Sequence, residues 1–171
     1  MPQISAVIIT YNEEKYIEQC IRSLMPVVDE IVVLDSYSTD KTEEICVNLG
    51  VKFYKNYFSG YRDQKNLALQ YAKFDYILSL DADEALSEEL VDSILEVKSN
   101  WEYDAYSFNR IDNYCGKWLY HLDKKVRLFD RRKGEWGGLN IHEKVEINDG
   151  ATIAHIKGVL LHWNYASIED H

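Results

Sequence analysis

The stretch Tyr76-Ile77-Leu78-Ser79-Leu80-Asp81-Ala82-Asp83-Glu84 decides how this chain is to be read. Its apolar run, bounded and short, has the form of a buried strand, and it stops abruptly on acids. Asp81 and Asp83 are two apart, so in an extended segment their side chains share a side, with small Ala82 between them. Two carboxylates so placed suit a hard divalent cation such as Mg²⁺ or Mn²⁺, which keeps positions open for water and phosphate oxygens. Acids after a strand also serve as turns and helix caps, and Glu84 reads as a neighbouring charge or cap.

Outward from this stretch, residues 4–10, 31–34 and 51–54 are further β-branched apolar runs, separated by segments of helical period. Ile17, Cys20, Ile21 and Leu24 form an apolar stripe that ends before Pro26, with Asn12 as the expected cap. Asp40 is the expected cap of a second helix, which Gly50 stops. A third is expected over 61–72 with Leu67, Ala68, Tyr71 and Ala72 on one face, and Ser87 opens a fourth carrying Leu90, Val91, Ile94, Leu95 and Val97. Strand and helix in alternation predict a parallel sheet covered by helices, with ligands beyond the carboxyl ends of the strands.

From Tyr103 the texture changes to antiparallel-looking strands at 105–113, 125–130 and 152–163, with turns at Gly116, Gly134, Gly137-Gly138 and Gly150. No repeat or low-complexity linker separates the two textures. One domain, 1–171, is expected, with halves 1–100 and 101–171. Residues 167–170 look like the first turn of another helix, as in a chain truncated at its C-terminus.

The 171 residues are 46% hydrophobic, enough for one core. A net charge of −10 argues against nucleic acid as a partner, because phosphate backbones are held mainly by Lys and Arg. A polyphosphate ligand would need a cation to screen it. Lys124, Lys125, Arg127, Arg131, Arg132 and Lys133 cluster, and read as a solvated hairpin surface. Three cysteines, an odd count with no CxxC, suggest neither a disulfide framework nor a zinc site. Met1 leads straight into a strand-like run without the features of a signal peptide, and no apolar stretch approaches the roughly 20 residues of a membrane helix. The expected location is the cytoplasm.

Three polar groups fall after strands on one sheet edge: Thr10-Tyr11-Asn12-Glu13, Asp35, and the acids 81–84. With Ser5-Ala6-Val7-Ile8-Ile9 before the first group, Glu30-Ile31-Val32-Val33-Leu34-Asp35-Ser36-Tyr37-Ser38-Thr39-Asp40-Lys41-Thr42, Lys65-Asn66, Arg127-Leu128-Phe129 and His142-Glu143, the chain resembles the family 2 glycosyltransferases of the GT-A fold. Within that family it is most similar to bacterial lipopolysaccharide-core enzymes that add glucose or similar sugars.

The resemblance implies an α/β GT-A fold: a Rossmann-like, mostly parallel sheet flanked by helices, with a small antiparallel sheet on the acceptor side. It makes residues 1–100 the nucleotide-sugar-binding half and 101–171 the acceptor half. Thr10, Asn12, Glu13 and Asp35 would line the nucleotide pocket, Asp35 near the base, with Lys65 a further donor contact. Asp81 would face the ribose or sugar and Asp83 the metal, with Glu143 as general base and His162 as a third metal or diphosphate contact. Asp123 and Glu135 are rival bases, and His142 and His162 also read as packed histidines. Tyr37 stands where the family usually has glycine, so that turn is expected to sit differently. Trp118, Tyr120 and Trp136 offer flat faces on which a sugar could stack.

The implied reaction is inverting transfer of a sugar from a UDP-sugar, with Mn²⁺ or Mg²⁺, to a hydroxyl of a glycan or lipid-linked acceptor in cell-envelope synthesis. A lipid-linked acceptor would explain peripheral association with the inner face of the membrane. A nucleotidyltransferase would carry a glycine-rich basic loop after the first strand, and residues 10–16 contain no glycine. A phosphotransferase with an Asp-x-Asp-x-Thr/Val nucleophile would carry it on the first strand; here it follows the fourth, with Ala85 in fifth place. A sugar-nucleotide-binding module without activity is opposed by the presence of both Asp83 and Glu143.

Overall fold

The computed structural model describes residues 1–139 and 141–165, with Leu122 and Tyr165 described by backbone only. Ten strands and four helices follow in the order β1 (Ile4–Thr10), α1 (Ile17–Leu24), β2 (Glu30–Asp35), α2 (Thr42–Asn48), β3 (Lys52–Lys55), α3 (Tyr61–Leu69), β4 (Tyr76–Asp81), β5 (Glu84–Leu86), α4 (Glu88–Ser99), β6 (Ala105–Tyr114), β7 (Lys117–Asp130), β8 (Gly134–Leu139), β9 (His142–Ile147) and β10 (Ile153–Tyr165). Eight strands form one sheet in the order β3-β2-β1-β4-β7-β6-β10-β5, and β8 and β9 form a small antiparallel sheet. The expected helix turn at 167–170 lies outside the described residues.

The link from β4 to β5 dictates the shape of the sheet. Three strands, β7, β6 and β10, lie between them in the hydrogen-bonded order. In a flat sheet, four spacings of about 4.8 Å would put β5 roughly 19 Å from β4. Yet only Ala82 and Asp83 connect them, and three residue steps reach at most about 11 Å. The sheet must therefore roll, bringing its β5 edge back to the end of β4. Arg127 of β7 spans the roll from inside: its guanidinium donates to Ser79 O at 3.2 Å, to Glu84 Oε2 at 2.8 Å and to Glu84 Oε1 at 3.2 Å. Glu84 is fully buried.

Alternation along β1 and β4 divides the core between the two sheet faces. Ile4, Ala6, Ile8, Leu78 and Leu80 pack with the α1 stripe Ile17, Cys20, Ile21 and Leu24 and with Leu90, Ile94 and Val97 of α4. Val7, Ile77 and Phe129 pack on the other face with Ala68 and Leu69 of α3 and with Trp136 and Val145 of the small sheet.

Several expectations need correction. Asn12 does not cap α1; it adopts φ 49° and accepts from the Thr39 N–H at 2.7 Å, tying the β1 loop to the β2 loop. Asp40 does engage the start of α2, accepting from the Thr42 N–H at 2.9 Å, and Ser87 caps α4 through the Leu90 N–H. The buried face of α3 is Gln64, Lys65, Ala68 and Leu69 rather than a purely apolar stripe. Gly134 and Gly137 are strand residues of β8, not turns; a Cβ on Gly134 would meet Ile147 Cδ1 at 2.6 Å and Glu146 O at 2.8 Å. β10 pairs with β6 in parallel and with β5 antiparallel, so the second half is mixed. Arg127 is buried, and Glu84 is a buried ion-pair partner rather than a mere neighbouring charge.

Candidate active site

A cavity of about 580 Å³ opens beyond the carboxyl ends of β1 and β4, lined in part by Thr10, Glu13, Ser36, Asp81, Asp83 and His162. Parallel pairing of β1 with both β2 and β4 brings these loops to one edge. Tyr11, Tyr57, Phe58 and Tyr61, all exposed, form its aromatic mouth. Thr10 is nearly buried, and its hydroxyl has no hydrogen-bond partner among the described residues. Such a group in a cavity wall is satisfied by a ligand or water.

Not every expected residue reaches the wall. Ser36 lines the cavity and Asp35 does not: the fully buried Asp35 carboxylate accepts from the N–H (2.8 Å) and hydroxyl of Ser38. Asn12 is exposed and engaged by Thr39. Tyr37 has a left-handed backbone at φ 61°, and its ring stacks on Tyr57 with centroids 4.3 Å apart. The left-handed backbone costs roughly 1 kcal/mol, and an aromatic pair returns about as much.

Asp81 and Asp83 have different surroundings. Asp81 Oδ1 lies 3.0 Å from Lys65 Nζ, and Oδ2 lies 3.9 Å from Arg127. Against the cost of burial, these two cations hold its carboxyl well below the usual carboxylate range. Asp83 Oδ2 lies 3.2 Å from His162 Nε2, and the other ring nitrogen, Nδ1, lies 2.8 Å from Asp112 Oδ1. Burial favours the neutral imidazole, but the bond and charge of Asp83, the charge of Glu84 and the bond to Asp112 push the His162 pKa up to about 9. Glu13 goes the same way for other reasons. Burial first, then the charges of Asp83, Asp40 and Asp81, raise its pKa to about 7, with His162 opposing.

Glu143 arrives from the small sheet. Asn66 of α3 clamps β8 by donating to Trp136 O at 2.8 Å and accepting from the Trp136 N–H at 3.0 Å, and Arg62 donates to Gly138 O. Register then sets Glu143 opposite Gly138, with its Oε1 2.8 Å from Lys65 Nζ. The Lys65 ammonium sits 4.2 Å from the centroid of the Trp136 ring, and the Arg127 guanidinium 5.4 Å from it. Trp136 is therefore a buried platform for two cations and not a sugar-stacking face. Trp118 packs edge-on to Trp163, while Tyr120 remains largely exposed. Of the rival bases, Asp123 is held by Arg110 and Lys125, and Glu135 is exposed on the opposite side of β8 from Trp136.

Sequence reasoning missed Arg110 and Asp112. On β6 they are two apart and share a face, the one signal that an alternating Arg-Ile-Asp offers.

Among the described residues, no group of three or more His, Cys, Asp or Glu side chains lies close enough to hold a metal by itself. Asp83 and His162 make a set of two. A Mg²⁺ or Mn²⁺ that travels with a nucleoside diphosphate takes its other ligands from phosphate and water, so a two-ligand set fits it.

The rolled mixed sheet, the cavity at its β1 and β4 ends and the small accessory sheet are those of the GT-A fold. Among solved structures, S. aureus TarS (residues 1–349) superposes with a TM-score of 0.56 at 25% identity, over 64% of this chain and 36% of that one. Glucosyl-3-phosphoglycerate synthase of Mycobacterium tuberculosis, in complex with Mn²⁺ and uridine-diphosphate-glucose, superposes at 0.53 and 25% identity, over 66% of this chain and 44% of that one.

The sequence profile described as Glycosyl transferase family 2 matches residues 5–155, and the chain belongs to that family. An uncharacterised glycosyltransferase of Rickettsia typhi is 32% identical over 183 residues, 99% of this chain and 63% of that protein. The glycosyltransferase SunS of Bacillus subtilis is 35% identical over 153 residues, 84% of this chain and 34% of that protein. The chain thus spans less than two thirds of the length of either relative. No helix among the described residues is long and apolar enough to cross a membrane.

Proposed function

We propose that this chain transfers a sugar, glucose or one like it, from a UDP-sugar to a hydroxyl of a glycan or lipid-linked acceptor, with inversion. One observation carries the reading: a cavity at the strand ends joins the Asp83–His162 pair to an aromatic mouth, with Asp81 linked through Lys65 to Glu143. Family membership and the UDP-glucose complex of the mycobacterial neighbour support it.

In this reading Asp83 and His162 hold Mn²⁺ or Mg²⁺, and the cation, when bound, neutralises charge that builds on the departing diphosphate. Thr10, Ser36 and Glu13 line the nucleotide end. At a pKa of about 7, Glu13 is close to half protonated at neutral pH, so its carboxyl sets less negative charge against a phosphate than an ordinary glutamate. Asp81, kept ionised by Lys65 and Arg127, accepts hydroxyls of the ribose or sugar. Glu143 takes the proton of the attacking hydroxyl, and with a single base and direct displacement the anomeric centre inverts. Residues 1–100 serve the donor and 101–171 the acceptor within one domain. The acceptor is proposed to belong to the cell envelope, as in lipopolysaccharide synthesis, with the protein peripheral to the inner face of the membrane.

Thermal stabilisation by a panel of sugar nucleotides, with and without Mn²⁺, identifies the donor. Slow hydrolysis or transfer from that donor should follow with Mn²⁺ and vanish in Asp83→Ala with the fold intact. Nucleotide binding that survives this change at full strength and ignores a chelator would sink the metal role.

A further inference from the structure

Asp112 lies outside every motif that marks the family in this sequence, yet it is built tightly into the site. It is 8% exposed and stands directly opposite His162 in the β6–β10 register. Besides its 2.8 Å contact to His162 Nδ1, its Oδ1 lies 3.3 Å from Arg110 Nε, and its Oδ2 lies 3.4 Å from Nε2 of His121. The Arg110 contact is an ion-pair distance and not an aligned hydrogen bond, since Arg110 Nε has no hydrogen-bond partner among the described residues. The other guanidinium nitrogens reach Glu84 Oε1 at 3.5 Å and Asp123 Oδ2 at 3.2 Å. Asp112 is therefore held in place by groups independent of His162.

A histidine that offers one nitrogen to a cation needs its other N–H engaged, because that bond selects the tautomer and fixes the ring plane. We propose that Asp112 is the positioning residue for His162: it accepts the Nδ1–H and so presents Nε2 toward Asp83 and the cation held there. The inference rests on the reading of His162 as a ligand. His162 touches the ion, whereas Asp112 acts only through the ring. Strand pairing supplies the precision, since the two residues sit side by side on adjacent parallel strands whose backbone spacing leaves little freedom to either.

Mn²⁺ binding to the full chain in the presence of UDP, followed by electron spin resonance, separates the two ideas. The wild type should show spin-echo modulation from a coordinated imidazole nitrogen, and His162→Gln should lose it. Asp112→Asn should weaken Mn²⁺ binding by 10–100-fold, as roughly expected for loss of such a partner, and diminish the modulation. In the His162→Gln background, Asp112→Asn should cost nothing further. If His162→Gln binds Mn²⁺ as the wild type does, the ligand reading fails and the proposal falls with it. If His162→Gln is weakened and Asp112→Asn is not, or if the two losses multiply, the ligand reading stands and the positioning role is overturned. Should Asp112→Asn fail to fold, long-range ¹⁵N–¹H spectra of the wild type with Mg²⁺ and UDP decide: a proton on His162 Nδ1 with Nε2 bare supports the proposal, and a protonated Nε2, alone or with Nδ1, overturns it.

Discussion

Lys65 Nζ stands 2.8 Å from Glu143 Oε1, so the proposed base on β9 is tied to a buried cation on α3. The same ammonium reaches Asp81 at 3.0 Å and is only 2% exposed. Removing it strips the Asp81 and Glu143 carboxylates of the ammonium they share. Lys65→Met should cost about 3–5 kcal/mol of stability, as breaking a buried pair does, and abolish transfer. Denaturant unfolding and a transfer assay check both. Stability within 1 kcal/mol of wild type would show that the cation does not hold the carboxylates.

Lys65 also shows where sequence reading stops. The strands β1, β2 and β4 were legible as apolar runs, and the loops that follow β1 and β4 could be placed from strand order alone. Lys65 was marked as a donor contact only by the family resemblance, and the burial of Gln64 and Lys65 was not legible, because apolar periodicity assigns polar residues to the outside, and on α3 the inward face is polar where it meets the site. The small antiparallel sheet was expected from the family resemblance, but its strands were not placed: its glycines read as turns, although Gly134 is there because backbone approaches it too closely for a side chain. Tyr37, which stands where the family usually has glycine, adopts a left-handed backbone of the kind glycine favours. Asp83 and His162, far apart in the chain, are in contact, whereas only the bare alternation Arg110-Ile111-Asp112 pointed to Asp112 between His162 and Arg110.

Glu143→Gln preserves shape and one acceptor oxygen while removing the basic group. Transfer should fall by about 10²–10⁴-fold, with donor binding close to wild type by calorimetry. Unchanged transfer would return the base to Asp123 or Glu135.

The metal-free chain should lose stability as the pH rises, in two steps. Glu13 titrates at about 7 in the fold against 4.5 for the ordinary carboxyl. Its raised value means that its stabilising contribution is complete below 4.5 and lost as the pH climbs through 7. His162, raised from 6.5 to about 9, contributes fully below 6.5 and loses that contribution through 9. Urea unfolding from pH 4 to 10 with chelator present should show both. Glu13→Gln should erase the lower step and His162→Gln the upper; a profile indifferent to either change contradicts the assignment.

Gly158 has φ 99°, and a Cβ there would meet Leu90 N at 2.3 Å and Leu90 Cα at 2.5 Å, backbone atoms that cannot swing aside. Gly158→Ala combines a strained conformation with overpacking and should destabilise by about 2–5 kcal/mol. Thermal melting reads this directly, and a shift under about 2 °C would mean that α4 can move away from β10.

The two-residue link between β4 and β5 has a consequence for how the chain reaches its native state. β5 pairs with residues 160–162 of β10, so this ladder waits for a strand that comes after α4 and β6 to β9. Contacts of such separation slow folding, because a long loop must close before it is rewarded. During synthesis, a chain that has delivered residues 1–100 already carries Asp81 and Asp83 but has neither His162 nor the β7 and β10 partners of β4 and β5. Asp81 can already meet β1 and Lys65 at that stage, whereas Asp83 gains its His162 contact only when β10 joins the sheet, so the strand-end cavity is completed late.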